Sequence, residues 1–250
     1  MLSDRLAKKA VLTAKKKGLK IYEYSIGAKY SYAIVKGKRG YAMGTAYLPL
    51  EDISRGFCRS LSLDNLQSMI ASLNMQEKSL GIAVINAISQ YLLWNINEYK
   101  GDIEYGNLID CVKECCPDGK IAVVGNMVPL VKKLQEEREV WVLERNPKLR
   151  INAYPDSLAP RILPKADTVI ITGATLVNDT IDYILSLSKR AKLKILVGPT
   201  AALYPEWIKG YVDVIASLKI DNLEKVVEII KCGGGRWDFT PYVREYIIRL

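Results

Sequence analysis

The stretch "DTVIITGATLVNDTIDYILSL" (167–187) decides the fold. A β-branched run, Thr168 to Thr172, stops at Gly173. A short polar turn follows, and Asn178-Asp179-Thr180 then opens an apolar-periodic segment. That is a buried strand, a tight loop and a helix N-terminus in chain order. In α/β proteins ligands sit at such junctions, outside the carboxyl ends of the strands.

The same pattern extends on both sides. Upstream lie "KIAVVG" (120–125) and "EVWVLE" (139–144), and downstream "KILVG" (194–198), "VDVIA" (212–216) and a helix from about 221 to 231. Near-continuous apolar strands alternating with helices predict a parallel sheet covered on both faces, with right-handed crossovers. "CGGGRWDFTP" (232–241) reads as a flexible break before a short terminal segment.

The first hundred residues have a different texture: a helix, strands near 19–26, 30–36 and 40–47, and a helix from about 76 to 96. "KGKRG" joins the second and third strands as a hairpin, and Pro49 ends the meander. Asn74 with Glu77 three residues on predicts a capping box. Residues 101–118 read as a bridging helix and turn, closed by "CPDG" (116–119). The expected organisation is therefore an α+β domain over 1–100, the bridge, and a Rossmann-like domain over 119–250.

Composition excludes a good deal. The chain of 250 residues contains no histidine, which removes Ser-His-Asp and Cys-His nucleophile pairs and His-containing zinc sites. Five cysteines, an odd number, do not suggest a secreted disulfide framework. Cys111, Cys115 and Cys116 fall on one predicted helix and read as buried structural residues. No apolar run is long enough for a membrane span and no signal peptide is visible, so the expected compartment is the cytoplasm. The net charge of +9 is already reached within residues 1–40. A solvated helix face and a charged hairpin tip account for it, so no specific nucleic-acid binding is expected. Few glutamines, many Lys and Glu and fifteen tyrosines fit a protein from a hot environment.

The strand ends bring "GNMVP" (125–129), "ERNP" (144–147), "TGATLVND" (172–179) and "GPTAAL" (198–203) to one edge, as a ligand-facing rim. Gly125 stands alone, so the G-x-G-x-x-G dinucleotide fingerprint fails. Glu144 reads equally as a ligand-facing acid or as a surface partner of Arg145 or Arg150. Thr175, Asn178 and Asp179 precede a helix, where exposed N–H groups favour an anion or are simply capped.

"EKSLGIAVINA" (77–87), "VVGNMVPLVKKL", "VLERNP", "YPDSLAPRILPKADTVIITGATLVNDT" and "LVGPTAALYP" resemble, in order and spacing, the family named "putative heavy-metal chelation". The resemblance runs from about 74 to 235. It implies an N-terminal domain like that of enolases, a Rossmann-like domain, and a site between them linked to pterin-, flavin- or siderophore-type chelator metabolism. It also implies that Asn74, Glu77, Asn86, Glu144, Thr175, Asn178 and Gly198 occupy family positions. Some relatives carry histidine where this chain has Asn126.

The expected ligand-binding set is Asn86, Gly125, Asn126, Glu144, Thr172, Gly173, Thr175, Asn178, Gly198 and Thr200. Asn86 is expected to reach the cleft from the N-terminal half, and Gly173 to let the backbone approach the ligand. Glu144→Ala and Asn178→Ala are expected to weaken binding while leaving the fold intact. The expected partner is a small anionic or heteroaromatic molecule, bound in the interdomain cleft and hydrolysed or condensed there. The alternative is a metal-chelate carrier or sensor without turnover. The sequence specifies no catalytic residue and no cofactor, and leaves a homo-oligomer open. Any metal would use oxygen ligands or arrive already chelated, so no stoichiometric zinc is expected.

Overall fold

The computed structural model describes residues 1–53, 58–116 and 118–250. Pro117, within the predicted turn 116–119, lies outside the described residues.

The N-terminal half opens with α1 (Leu2–Lys17), whose apolar stripe Leu2, Leu6, Ala10, Ala14 is buried while Arg5, Lys8, Lys9 and Lys16 face out. Gly18, at φ 64, ends it in a left-handed cap. The antiparallel meander β1 (Lys20–Ile26), β2 (Tyr30–Gly37) and β3 (Gly40–Tyr47) follows. After it come α2 (Leu66–Ile70) and α3 (Met75–Gln90), which runs on into a π-turn at Tyr91–Asn95. Every residue of α3 from Glu77 to Gln90 is buried, because the meander covers one side, α1 and α2 pack against others, and the turn Pro199–Ala201 closes it from the C-terminal half. The crossing is very close: a Cβ on Gly44 would lie 2.2 Å from the backbone nitrogen of Ala87. Only glycine lets β3 meet α3 there.

The capping-box expectation is half met. Asn74 Oδ1 accepts from the backbone N–H groups of Gln76 and Glu77, at 2.8 and 3.4 Å. Glu77 does not turn back to Asn74. Its carboxylate accepts from Arg59 Nε at 2.7 Å, Arg59 Nη2 at 2.6 Å and the Arg59 backbone N–H at 3.1 Å.

The C-terminal half holds α4 (Leu108–Cys115), β4 (Ile121–Val124), α5 (Val128–Gln135), β5 (Val140–Glu144), β6 (Tyr154–Pro155), α6 (Ala159–Ile162), β7 (Thr168–Thr172), α7 (Ile181–Leu187), β8 (Leu193–Val197), α8 (Pro205–Ile208), β9 (Val214–Ile220), α9 (Leu223–Lys231) and β10 (Val243–Arg249). The sheet order is β10-β9-β8-β7-β4-β5-β6, parallel except for β10. Read from β6, the six parallel strands follow the Rossmann order 3-2-1-4-5-6. The order reverses between β4 and β7, so a crevice opens outside their carboxyl ends. The mixed α/β class is as read from the sequence. The terminal segment expected after the glycine run is an additional antiparallel edge strand, β10.

The halves share one continuous apolar core, from Leu2 and Leu6 through Ile82 and Ile85 to Ile171, Ile215 and Ile248. Polar ties cross the seam as well. Asn86 Nδ2 donates to the carbonyls of Thr45 and Thr200, both at 2.9 Å. The Tyr47 N–H donates to Thr200 Oγ1 at 2.8 Å. Ser3 Oγ donates to Asp179 at 3.1 Å, and buried Lys78 forms an ion pair with the same carboxylate. No helix among the described residues is long and apolar enough to cross a membrane.

Candidate functional site

A cavity of about 730 Å³ lies at the switch point between β4 and β7. Its floor is the βα loops, and Tyr30 and Tyr47 of the meander form its opposite wall. Gly125 follows β4 at φ 95, with its Cα so near Thr172 that a Cβ would lie 2.8 Å from Thr172 Cγ2. A side chain at 125 would therefore both strain the backbone and displace β7. The next N–H, of Asn126, donates to Glu144 Oε2 at 2.7 Å. Asn126 Nδ2 donates to the carbonyls of Leu149 and Ile151 at 2.8 and 3.1 Å.

Glu144 ends β5, and its other oxygen accepts from the Asn146 N–H at 2.8 Å. Neither surface pairing considered for it occurs through the carboxylate: Arg145 pairs with Asp52, and Arg150 Nε donates to the Glu144 carbonyl. The carboxylate thus ties two βα loops together while facing the cavity. Glu144→Ala would remove both ties, so the expectation that this substitution spares the fold gives way to a local loss of stability.

The loop after β7 is more closed than its sequence suggests. Thr172 Oγ1 accepts from the Ala174 N–H at 3.4 Å, and Thr175 Oγ1 donates to the Thr172 carbonyl at 2.7 Å. Asn178 Oδ1 accepts from the Thr180 hydroxyl at 2.7 Å and the Thr180 N–H at 3.3 Å. A 3-10 turn (Gly173–Leu176) intervenes, and α7 begins only at Ile181. The N–H groups expected to face an anion are therefore largely taken within the loop.

The cavity brings together Gly125, Asn126, Glu144, Thr172, Thr175, Asn178, Gly198 and Thr200 from the expected set. It does not include Asn86 or Gly173. Asn86 is fully buried and serves the seam. Gly173 does permit a close approach, but to protein: a Cβ there would lie 2.6 Å from the Ala201 nitrogen. Thr200 reaches the cavity with its hydroxyl already engaged by Tyr47.

Among the lining residues outside the expected set are Tyr30, Tyr47, Arg236 and Trp237. In the sequence the Arg-Trp pair reads as part of a flexible break. The available signal was an Arg-Trp pair directly after three glycines. Burial pushes the Tyr47 phenol up to about 12, and the nearby Glu51, Glu144 and Asp52 act in the same direction. Burial also raises Tyr30.

Residues 107–249 match the model of the DUF364 family, described as "putative heavy-metal chelation", and residues 9–89 match DUF4213, which carries the same description. The chain belongs to the DUF364 family. An uncharacterized protein of Methanocaldococcus jannaschii is 34% identical, over 100% of this chain and 98% of its own. The crystal structure of a DUF364 protein of unknown function from Pyrococcus horikoshii superposes with a TM-score of 0.90, at 36% identity and full coverage of both chains. A second DUF364 structure, from Desulfitobacterium hafniense, is 20% identical with a TM-score of 0.76 over 97% of each chain, and shares the fold.

The metal in the family's description can be tested against this donor set. Among the described residues no three His, Cys, Asp or Glu side chains converge as ligands. Cys111 and Cys115 lie with sulfurs 3.9 Å apart on α4. Cys111 and Cys116 are buried as expected of structural cysteines, whereas Cys115 is exposed. Burial pushes the Cys111 thiol up to about 11, away from the thiolate a metal needs. The residues present do not fit a bare metal ion.

Proposed function

We propose that this DUF364 protein binds a small anionic or heteroaromatic molecule in the cleft between its halves, of pterin, flavin, siderophore or metal-chelate type. The observation that carries the reading is the 730 Å³ cavity at the strand-order reversal, walled by both halves. Small-molecule sites span about 300–1,000 Å³ and favour such switch points. Gly125, Asn126, Glu144, Thr172, Thr175, Asn178, Gly198 and Thr200 would form its floor. A heavy metal would enter within a chelate whose own atoms supply the ligands, since the protein's side chains do not.

Hydrolysis or condensation of the bound molecule is one reading. Binding without turnover, as a chelate carrier or sensor, is the other, and one observation favours it. The chain contains no histidine, and the shifted tyrosines of the cavity move away from neutrality rather than toward it. General acid–base work favours a group poised near the operating pH. The test is native mass spectrometry of freshly purified protein, followed by thermal-shift screening of metabolites with and without metals. A retained or stabilising small molecule, lost on filling the cavity with Thr172→Trp, is expected. A protein that neither retains nor is stabilised by any small molecule would overturn the proposal.

A further inference from the structure

The segment 232–241, read from sequence as a break, folds into a fixed turn. The Gly235 N–H donates to Asp238 Oδ2 at 2.7 Å, and the Asp238 N–H donates to the Gly235 carbonyl at 3.0 Å. Phe239, 1% exposed, pins the turn into a small core with Tyr30 and Tyr32. Trp237 sits at the tip of this turn, lines the cavity and is 63% exposed. What sets Trp237 apart from other exposed side chains is its place on the cavity lining, where an ordered turn presents a flat aromatic face to whatever enters.

The indole is half prepared for stacking. The Arg236 guanidinium lies 5.1 Å from its ring centre and is held by an ion pair with Glu245. That covers one face and leaves the rest open. Tyr30 and Tyr47 line the same cavity, edge to face with centres 5.9 Å apart, and Tyr30 packs on Phe239 at 5.4 Å. The tyrosine wall and the Trp237 turn therefore form one mechanical unit. Neither tyrosine hydroxyl has a hydrogen-bond partner among the described residues. Both phenols are raised by burial, so at neutral pH they are protonated donors.

We infer that the cavity mouth selects a planar heteroaromatic ring, stacked on the open face of Trp237 and turning acceptor atoms, ring nitrogens or carbonyl oxygens, toward the hydroxyls of Tyr30 and Tyr47. The inference rests on the cleft being a small-molecule site and adds what kind of molecule enters it. It also distinguishes a fused-ring ligand from an aliphatic polycarboxylate of similar size.

Calorimetric titration of the full chain with riboflavin, pterin and adenosine, against citrate as the non-aromatic probe, tests it. At least one fused-ring probe should bind and quench tryptophan emission, and citrate should not bind. Trp237→Leu should weaken that probe about tenfold or more, the range of aromatic stacking on a base. Trp237→Phe should keep most of the binding and lose the quench. Tyr30→Phe with Tyr47→Phe, which retains both rings, should weaken the same probe several-fold. Thermal melts of the Trp237 variants should match the wild type, because the indole is mostly in water. Equal binding by wild type and Trp237→Leu would overturn the stacking and leave the cleft in place. Binding of citrate alone would overturn the ring preference and leave the cleft in place. Failure of every probe to bind the wild type would overturn the ring preference, while the cleft itself stands or falls by the retention and thermal-shift screen.

Discussion

At Glu144 a single carboxylate serves structure and site together. It accepts two backbone N–H groups from neighbouring loops and still faces the cavity. Hydrogen bonds to a charged group contribute about 1.5–3 kcal/mol. Glu144→Ala should therefore lower unfolding free energy in urea by that amount and also weaken ligand binding. Asn178→Ala, which loses the bonds to Thr180, should weaken binding with a smaller stability loss. A Glu144→Ala protein as stable as wild type would show the loops hold without the tie. The sequence points Asn86 toward the cleft, whereas it serves the seam. Its partner carbonyl on Thr200 lies 114 residues away, and no local pattern reports a contact of that range. Trp237 was illegible for a related reason: glycine runs signal freedom, and here distant packing by Phe239 removes it.

Elements were easier to read than residues. The parallel strands were legible because burial on both faces leaves continuous apolar runs, as in "TVIIT" of β7. β6 is two residues long and held only by pairing with β5, so it leaves no periodicity to detect. At the start of α3, Glu77 is buried and anchored by Arg59, which holds its carboxyl at about 2 against an ordinary 4.5. A depressed acid stabilises the fold above its unfolded pKa, and that contribution is lost as the pH falls toward the folded value. Stability should therefore decline from about pH 4.5 toward 2, and Glu77→Gln should flatten that part of the profile. An unchanged profile in Glu77→Gln would assign the acid sensitivity elsewhere. On α1 the exposed lysines form a solvated face. Any nucleic-acid binding they support should fall by about 10³-fold between 50 and 200 mM salt. Salt-resistant, sequence-selective retention on a filter would contradict this.

For the whole molecule, the absence of histidine and the weight of Lys and Glu pointed to heat, and the chain's relatives include thermophile proteins. The melting midpoint should exceed about 65 °C, the upper mesophile range, by calorimetry. Elemental analysis of the purified protein should find less than one zinc per chain, since no three side-chain ligands converge among the described residues. Stoichiometric zinc, retained through chelator dialysis, would refute this.

The seam between the halves carries a consequence for how the chain reaches this state. Asn86 with Thr200, Ser3 with Asp179 and Gln90 with Tyr246 join residues separated by 114, 176 and 156 positions. Closing such loops costs entropy before any contact repays it, so these pairings should assemble late. Until then α3, buried on every side in the finished fold, is sheltered by the meander, α1 and α2 alone, and its face toward the C-terminal half stays open. Refolding from denaturant should pass through a transient species that exposes this helix and binds a hydrophobic dye. Its decay should coincide with the appearance of a ligand-competent cleft, because the last contacts to form are those that bring Tyr47 onto Thr200.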